Sequence, residues 1–449
     1  MEEESQIQKM FSGSTVFLTG ATGFIGKLLV EKLLRSCPKI KKLYLLIRPK
    51  KNKDIKKRLQ EQFDHLLYDK LREKMPDFFK KIDIVEGDIG QINMGMSDAD
   101  RSKLINEVEF IFHGAATVRF DEALKTAVEI NVRGTREILT LAHACTKLRA
   151  LVHISTAYCN CNLNEIDEKF YGSTISGDIL IDLVENIDEN ILKKITPGLL
   201  GNLPNTYAYT KLAAEDFVQK HSQGLPVAVF RPSMVISTAS EPVPGWIDNI
   251  YGPTGVIAGA GVGLIHTLHF NIQTKTDVVP GDYVVNGIIA AAWKTAKDYP
   301  GNYEHSDLAN SPTIYNYVSS EQNPLIMETL MNNIVKYEWE VPTMKAVWIY
   351  MCWITPSKFL YNFYFLLLHS IPALIVDTIA ILIGKKPFLR RAYKKIRKYL
   401  EIISYFGLQE WKFHNKNTLS LLKELDDTDK HIFNCDIETL KWEEYFSSS

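Results

Sequence analysis

Tyr207 and Lys211 stand four residues apart in Asn205-Thr206-Tyr207-Ala208-Tyr209-Thr210-Lys211, where an apolar helical pattern opens and runs on through Leu212, Ala213, Phe217 and Val218. Four residues is just over one helical turn, so phenol and ammonium share a face. A cation beside a phenol favours the phenolate and draws the tyrosine pKa down toward working pH. Such a tyrosine can give a proton to a carbonyl oxygen as hydride reaches the carbon, while the lysine reaches a nicotinamide ribose. Ser155 and Thr156 end a short apolar run, 151–154, and either hydroxyl can hydrogen-bond the same oxygen. A Tyr-x-x-x-Lys pair is common by chance; it gains meaning only from an element that delivers hydride.

That element stands near the N-terminus. An apolar run, 16–18, ends at Thr19 and meets Gly20, Gly23 and Gly26 before a helical pattern carried by Ile25, Leu28, Leu29 and Leu33. In a strand–turn–helix of this spacing the first glycine allows the tight turn. The second lets backbone approach a pyrophosphate, and the third lets helix and strand pack closely. The phosphates then meet free N–H groups at the helix start. A second strand, 42–47, ends at Arg48, 22 residues past Gly26. An acid near this point grips ribose hydroxyls in NAD-binding proteins, whereas an arginine accommodates a 2′-phosphate. Arg48, followed by Pro49-Lys50-Lys51, therefore favours NADP(H), the alternative being a solvated charge run. A basic amphipathic stretch, 55–79, leads to a third strand, 82–85, and then to Gly87-Asp88-Ile89, which suits the adenine side. A fourth strand, 108–112, precedes the small residues Gly114-Ala115-Ala116. Strands alternating with helical patterns predict an α/β fold, a doubly wound parallel sheet of Rossmann type, with ligands beyond the carboxyl ends of the strands.

The chain's 449 residues exceed one ordinary domain, so an appended domain is expected. A formal charge of -1 gives no pull toward nucleic acid. Six scattered cysteines with no C-x-x-C pair read as reduced, mostly buried thiols, with no metal site expected. The acidic N-terminus lacks the apolar core of a signal peptide.

The glycine turn, Ser155-Thr156 and Tyr207/Lys211 together resemble the extended short-chain dehydrogenase/reductases. Longer strings are closer to the alcohol-forming fatty acyl-CoA reductases, with an insect-like flavour. They are Leu46-Ile47-Arg48-Pro49-Lys50, His113-Gly114-Ala115-Ala116-Thr117-Val118, Ile130-Asn131-Val132-Arg133-Gly134-Thr135, Pro204-Asn205-Thr206-Tyr207, Phe230-Arg231-Pro232-Ser233 and Pro244-Gly245-Trp246-Ile247-Asp248-Asn249. The resemblance covers nearly the whole chain and implies NADPH as cofactor and long-chain acyl-CoA as substrate. It implies a catalytic set of Thr156 or Ser155, Tyr207 and Lys211. Thr19, Gly20, Thr22, Gly23, Phe24, Ile25, Gly26, Arg48, Asp88, Ile89, Ala115, Ala116, Asn131, Arg231 and Pro232 are implied at the cofactor, with Tyr207 and Lys211. It leads one to expect arginine where His266 stands, within 252–271, and an apolar residue where Gly281 stands. The four-electron outcome, acyl-CoA to alcohol, comes from the resemblance; the residues alone imply carbonyl reduction. A reductase acting on sterol or nucleotide-sugar carbonyls, or a non-catalytic NADPH-binding protein, stands as the alternative. A homodimer is open.

Composition divides the chain into a reductase part, 1–340, and a helical part, 341–449, that resembles the family's second domain. Within the latter, 359–383 is aromatic and aliphatic, interrupted by His369, Pro372 and Asp377, and is long enough to span a bilayer. Lys385, Lys386, Arg390, Arg391, Lys394, Lys395, Arg397 and Lys398 follow. Cations belong on the cytosolic side, where NADPH chemistry also belongs, so one clean crossing would part the two. A hairpin turning near Pro372, an in-plane anchor, a true span, or a buried helix lining an acyl tunnel are the readings open here. The expected location is a membrane surface with a cytosolic catalytic domain, at endoplasmic reticulum, peroxisome or lipid droplet.

Overall fold

The computed structural model describes residues 5–49, 54–249, 252–299, 311–340, 344 and 346–448. Lys50, Lys51 and the start of the 341–449 part lie outside them. Seven strands, β1 (Thr15–Thr19), β2 (Lys42–Ile47), β3 (Ile82–Glu86), β4 (Phe110–His113), β5 (Ala150–Ile154), β6 (Val227–Pro232) and β7 (Thr313–Tyr317), form one sheet in the order β7-β6-β5-β4-β1-β2-β3. Every pairing is parallel. β1, β5 and β6 are buried along their whole length, which is why their sequences are apolar runs rather than alternations.

Helices cover both faces. On one lie α1 (Phe24–Ser36), whose Leu28, Leu29 and Leu33 are buried, and α2 (Ile55–Phe63), started by the Asp54 carboxylate. On the other lie α3 (Gly134–Ala144) and α4 (Thr206–His221), burying Ile138, Leu141, Ala213 and Phe217. Asn205 starts α4: its side chain accepts from the Ala208 N–H at 2.9 Å, satisfying a donor that the helix itself leaves free. Strand order reverses between β1 and β4, so the crevice of a doubly wound sheet opens beyond the carboxyl ends of those two strands.

The second half adds α5 (Pro253–Gly261), α6 (Gly281–Asp298), α7 (Met327–Glu340), α8 (Lys358–Leu382) and α9 (Leu389–Gly407). Gly281 has a packing reason: a Cβ there would lie 2.8 Å from Leu28 Cδ1, where the start of α6 meets α1. The C-terminal part is sewn onto the reductase part through a separate short ladder. Residues 412–413 pair with 165–166, and the Trp411 indole N–H donates to the Cys161 carbonyl at 2.9 Å.

α8 differs from two expectations. It runs through Pro372, the ring being accommodated just after a π-helical turn at Leu366–Ser370. The chain reverses instead at Gly384, with φ of +73°, and Asp377 braces the reversal. Its carboxylate accepts from the N–H groups of Phe388, Leu389 and Arg390 at 3.0, 2.9 and 2.9 Å, capping the start of α9. α8 is also no buried tunnel wall. Tyr361, Phe365, His369, Ala373 and Asp377 form one inward stripe, four residues apart, while Phe359, Leu374, Ile375 and Leu382 are exposed. By length and composition α8 could cross a membrane.

Candidate active site

At the end of β1 the backbone turns back on itself at Gly20, whose φ of +81° disfavours a side chain. A Cβ there would stand 2.7 Å from the Gly114 carbonyl carbon, and one on Gly26 would drive into the Gly20 carbonyl. Both positions therefore keep backbone exposed beside the start of α1, the arrangement that receives a pyrophosphate. Thr19 ties this turn to the next strand end. Its hydroxyl lies 2.8 Å from His113 Nδ1 and accepts from the Ala115 N–H at 3.2 Å.

The turn opens into a cleft of about 480 Å3 that also contains Ser155, Thr156, Tyr207 and Lys211. Thr156 and Tyr207 both line it, the Thr156 hydroxyl close enough to act on the phenol. Ser155 is committed elsewhere, donating to Glu215 Oε1 at 2.5 Å. Lys211, almost fully buried, donates to the Ile154 carbonyl at 2.7 Å. Burial lowers its pKa to about 8, opposed by the Glu215 carboxylate. Burial likewise pushes the Tyr207 phenol up to about 12, opposed by the Thr156 hydroxyl. Here sequence and structure part: Lys211 was expected to draw Tyr207 down. In the structure its ammonium is held on the end of β5, and desolvation governs the phenol.

Of the residues implied at the cofactor, Thr19, Gly20, Thr22, Gly23, Phe24, Ile25, Gly26, Ala116 and Pro232 line the cleft. Ala115 sits between Gly114 and Ala116 with its N–H held by Thr19. Arg48 is exposed at the end of β2, its Nη1 3.9 Å from Asp88 Oδ2. Asp88 also accepts from the Gly90 N–H at 3.1 Å. Arg48, Asp88 and Ala115 are not part of the cleft lining, and three further residues also fall outside it. Ile89 is buried against Gly134, where a Cβ would lie 2.7 Å from its side chain, so it joins the sheet's helical cover. Asn131 is buried and spent on positioning: Nδ2 donates to Thr210 Oγ1 at 2.9 Å and Oδ1 accepts from the Thr117 N–H at 2.9 Å. It thereby links the loop after β4 to α4. Arg231 is fully buried beneath the site, donating to Glu215 through Nε at 2.9 Å and to the carbonyls of Asp167 and Lys169 at 3.1 and 3.0 Å. His266 is buried as well, its Nδ1 3.1 Å from the Met351 carbonyl.

Two family models, both described as male sterility protein, match this chain: an NAD-binding one over residues 18–288 and a second over residues 368–449. Fatty acyl-CoA reductase wat of Drosophila melanogaster is 40% identical over 449 residues, covering 100% of this chain and 85% of the relative. The chain belongs to the fatty acyl-CoA reductase family. Human fatty acyl-CoA reductase 1 is 36% identical over 98% of this chain and 84% of its own length. Among solved structures, the reductase domain of a non-ribosomal peptide synthetase from Mycobacterium tuberculosis superposes with a TM-score of 0.60 at 17% identity. It covers 99% of this chain and 94% of that domain, a likeness of fold. The glycine cradle fits the nicotinamide dinucleotide that the 18–288 match describes.

Reading the sequence missed Glu215, on which Ser155, Arg231 and Cys159 converge. Its signal was present, since Glu215 follows Lys211 by one helical turn on α4. Ile403 and Phe406 of α9 also line the cleft, and nothing local announces a contact across some 200 residues of chain.

Proposed function

We propose that this member of the fatty acyl-CoA reductase family reduces long-chain acyl-CoA to fatty alcohol with NADPH, working at a membrane surface. The observation that carries the reading is the meeting of the Thr156 hydroxyl, the Tyr207 phenol and Lys211 in the cleft that begins at the glycine turn. Bound along that turn, the dinucleotide supplies hydride. The chain's residues do the rest. Thr156 and Tyr207 hold the carbonyl oxygen by hydrogen bonds that strengthen as negative charge grows on it. Tyr207 then gives its proton to that oxygen, and with its pKa at about 12 it still carries one to give at neutral pH. Lys211, cationic below about pH 8, supports the same charge and would hold the nicotinamide ribose when the dinucleotide is bound. The hemithioacetal loses CoA to leave an aldehyde, and a second round at the same oxygen site yields the alcohol. Ser155 takes no part at the substrate because its proton is given to Glu215. Asn131 and Arg231 act as supports under the cleft.

Arg48 on Asp88 supports the NADP(H) preference: an exposed guanidinium at the end of β2 stands where the 2′-phosphate of the adenosine half belongs. The exposed apolar face of α8, with the cations of α9 after it, supports an in-plane anchor that keeps the cleft on the cytosolic side. We take 1–340 as the reductase part and 341–449 as a helical part that completes its cleft. The test is product analysis with acyl-CoA and NADPH in detergent, for wild type and Tyr207→Phe. Fatty alcohol from the former and none from the latter supports the reading; alcohol from both overturns it.

A further inference from the structure

The cleft continues beyond what the proposed chemistry uses. Behind Met234, Ile403 and Phe406, which border both spaces, lies a second cavity of about 40 Å3. Its remaining wall is hydrocarbon and thioether, from Val256 and Ile257 of α5, Phe270, Val278 and Met327, Leu330 and Met331 of α7, with one hydroxyl, Thr276. The end is closed where Gly407 meets Phe270, since a Cβ on Gly407 would collide with that ring. A water-sized group needs about 10–15 Å3 of such space, so the cavity admits about three, and a lining of this kind favours hydrocarbon over water. The route to it is aromatic. The Phe406 ring stacks on Phe120 at 5.7 Å, and Phe120 lies 5.8 Å from Tyr207.

We propose that this cavity receives the methyl end of the acyl chain, so that α7 and Phe270 set the longest chain the enzyme accepts. The inference rests on the acyl-CoA reading above and goes on to name where the chain ends. A thioester carbonyl held at Thr156 and Tyr207 leaves its tail to run along Phe120 and Phe406, away from the glycine turn. Too small for a whole chain, the cavity selects at the tip, and unbranched methionines let its walls yield without leaving a void. Chain length is then read as fit against side chains: one methylene too many meets Phe270, and one too few leaves contacts unmade.

The test is kcat/KM for dodecanoyl-, hexadecanoyl- and eicosanoyl-CoA with NADPH, in wild type, Met331→Trp and Met327→Ala. NADPH titration and Tm report whether each variant is folded. Filling the cavity with Met331→Trp is expected to lower kcat/KM for the longest chain about tenfold relative to dodecanoyl-CoA, the contact of about two methylenes. Met327→Ala is expected to move the ratio the other way, and carries the test alone should the tryptophan variant not fold. Folded variants whose profiles are flat, or fall equally at every length, overturn the assignment in an enzyme that is still a reductase. A wild type that turns over none of the three overturns the acyl-CoA reading and this inference with it.

Discussion

The hydroxyl of Thr156 and the phenol of Tyr207 form the smallest unit that can hold a developing oxyanion, and each has its own test. Thr156→Ala should lower kcat about 100–1000-fold, as loss of one oxyanion donor does elsewhere, with acyl-CoA KM changed far less. Ser155→Ala should instead lower stability, because it removes one of the three hydrogen bonds that Glu215 Oε1 accepts beneath the site. Steady-state kinetics beside thermal unfolding separates the two outcomes. Glu215→Ala should cost about 3–5 kcal/mol, since it strands the guanidinium of Arg231, which is 0% exposed. The pH dependence follows from Lys211. Burial holds its pKa at about 8, so the cation is present below that pH and lost as pH rises through it. kcat/KM, which reports the free enzyme, should fall on the alkaline side with an apparent pKa near 8, and residual activity in Lys211→Arg should lack that limb. Tyr207, at about 12, contributes no limb in the working range. At this scale the sequence made legible that Tyr207 and Lys211 meet in one cleft with the glycine turn. The bond from Ser155 to Glu215 was not legible, because it joins residues sixty positions apart.

Elements set how those groups meet. β1, β2 and the glycine turn could be read directly, since a strand buried on both faces writes itself as an apolar run and the turn demands glycine. β7 escaped because its run is short and interleaved with Asn316 and Tyr317, whose polar ends are satisfied only by distant partners such as the carbonyls of His414 and Cys435. The reversal after α8 escaped for another reason. Pro372 looked like the breaker, but a π turn absorbs it, while the true turn depends on Gly384 and on Asp377 reaching the start of α9. Asp377→Ala should therefore free three backbone donors, read as a lowered Tm and faster proteolysis between α8 and α9. On β2, Arg48→Ala should weaken NADPH by about 10–100-fold and leave NADH little changed, the loss of one or two charge-assisted hydrogen bonds. Cofactor titrations with the two dinucleotides check it.

At the scale of the whole molecule, the C-terminal part is not a separate appendage. α9 begins among cations beside the exposed apolar face of α8 and ends with Ile403 and Phe406 in the cleft, so one helix joins that apolar face to the cleft. An enzyme built this way should float with anionic vesicles, and Leu367→Glu with Ile375→Glu, both on exposed positions of α8, should abolish flotation while leaving turnover of detergent-dispersed substrate. That continuity could not be read from sequence, because composition marks α8 and α9 as apolar and basic without saying that α9 ends in the cleft. The central claim is a four-electron reduction run by Thr156, Tyr207 and Lys211. The most direct measurement is the number of NADPH oxidised per fatty alcohol formed from hexadecanoyl-CoA. Two, falling to no turnover in Tyr207→Phe, is the predicted result. A ratio of one with aldehyde as the final product, or unchanged turnover in Tyr207→Phe, would contradict it.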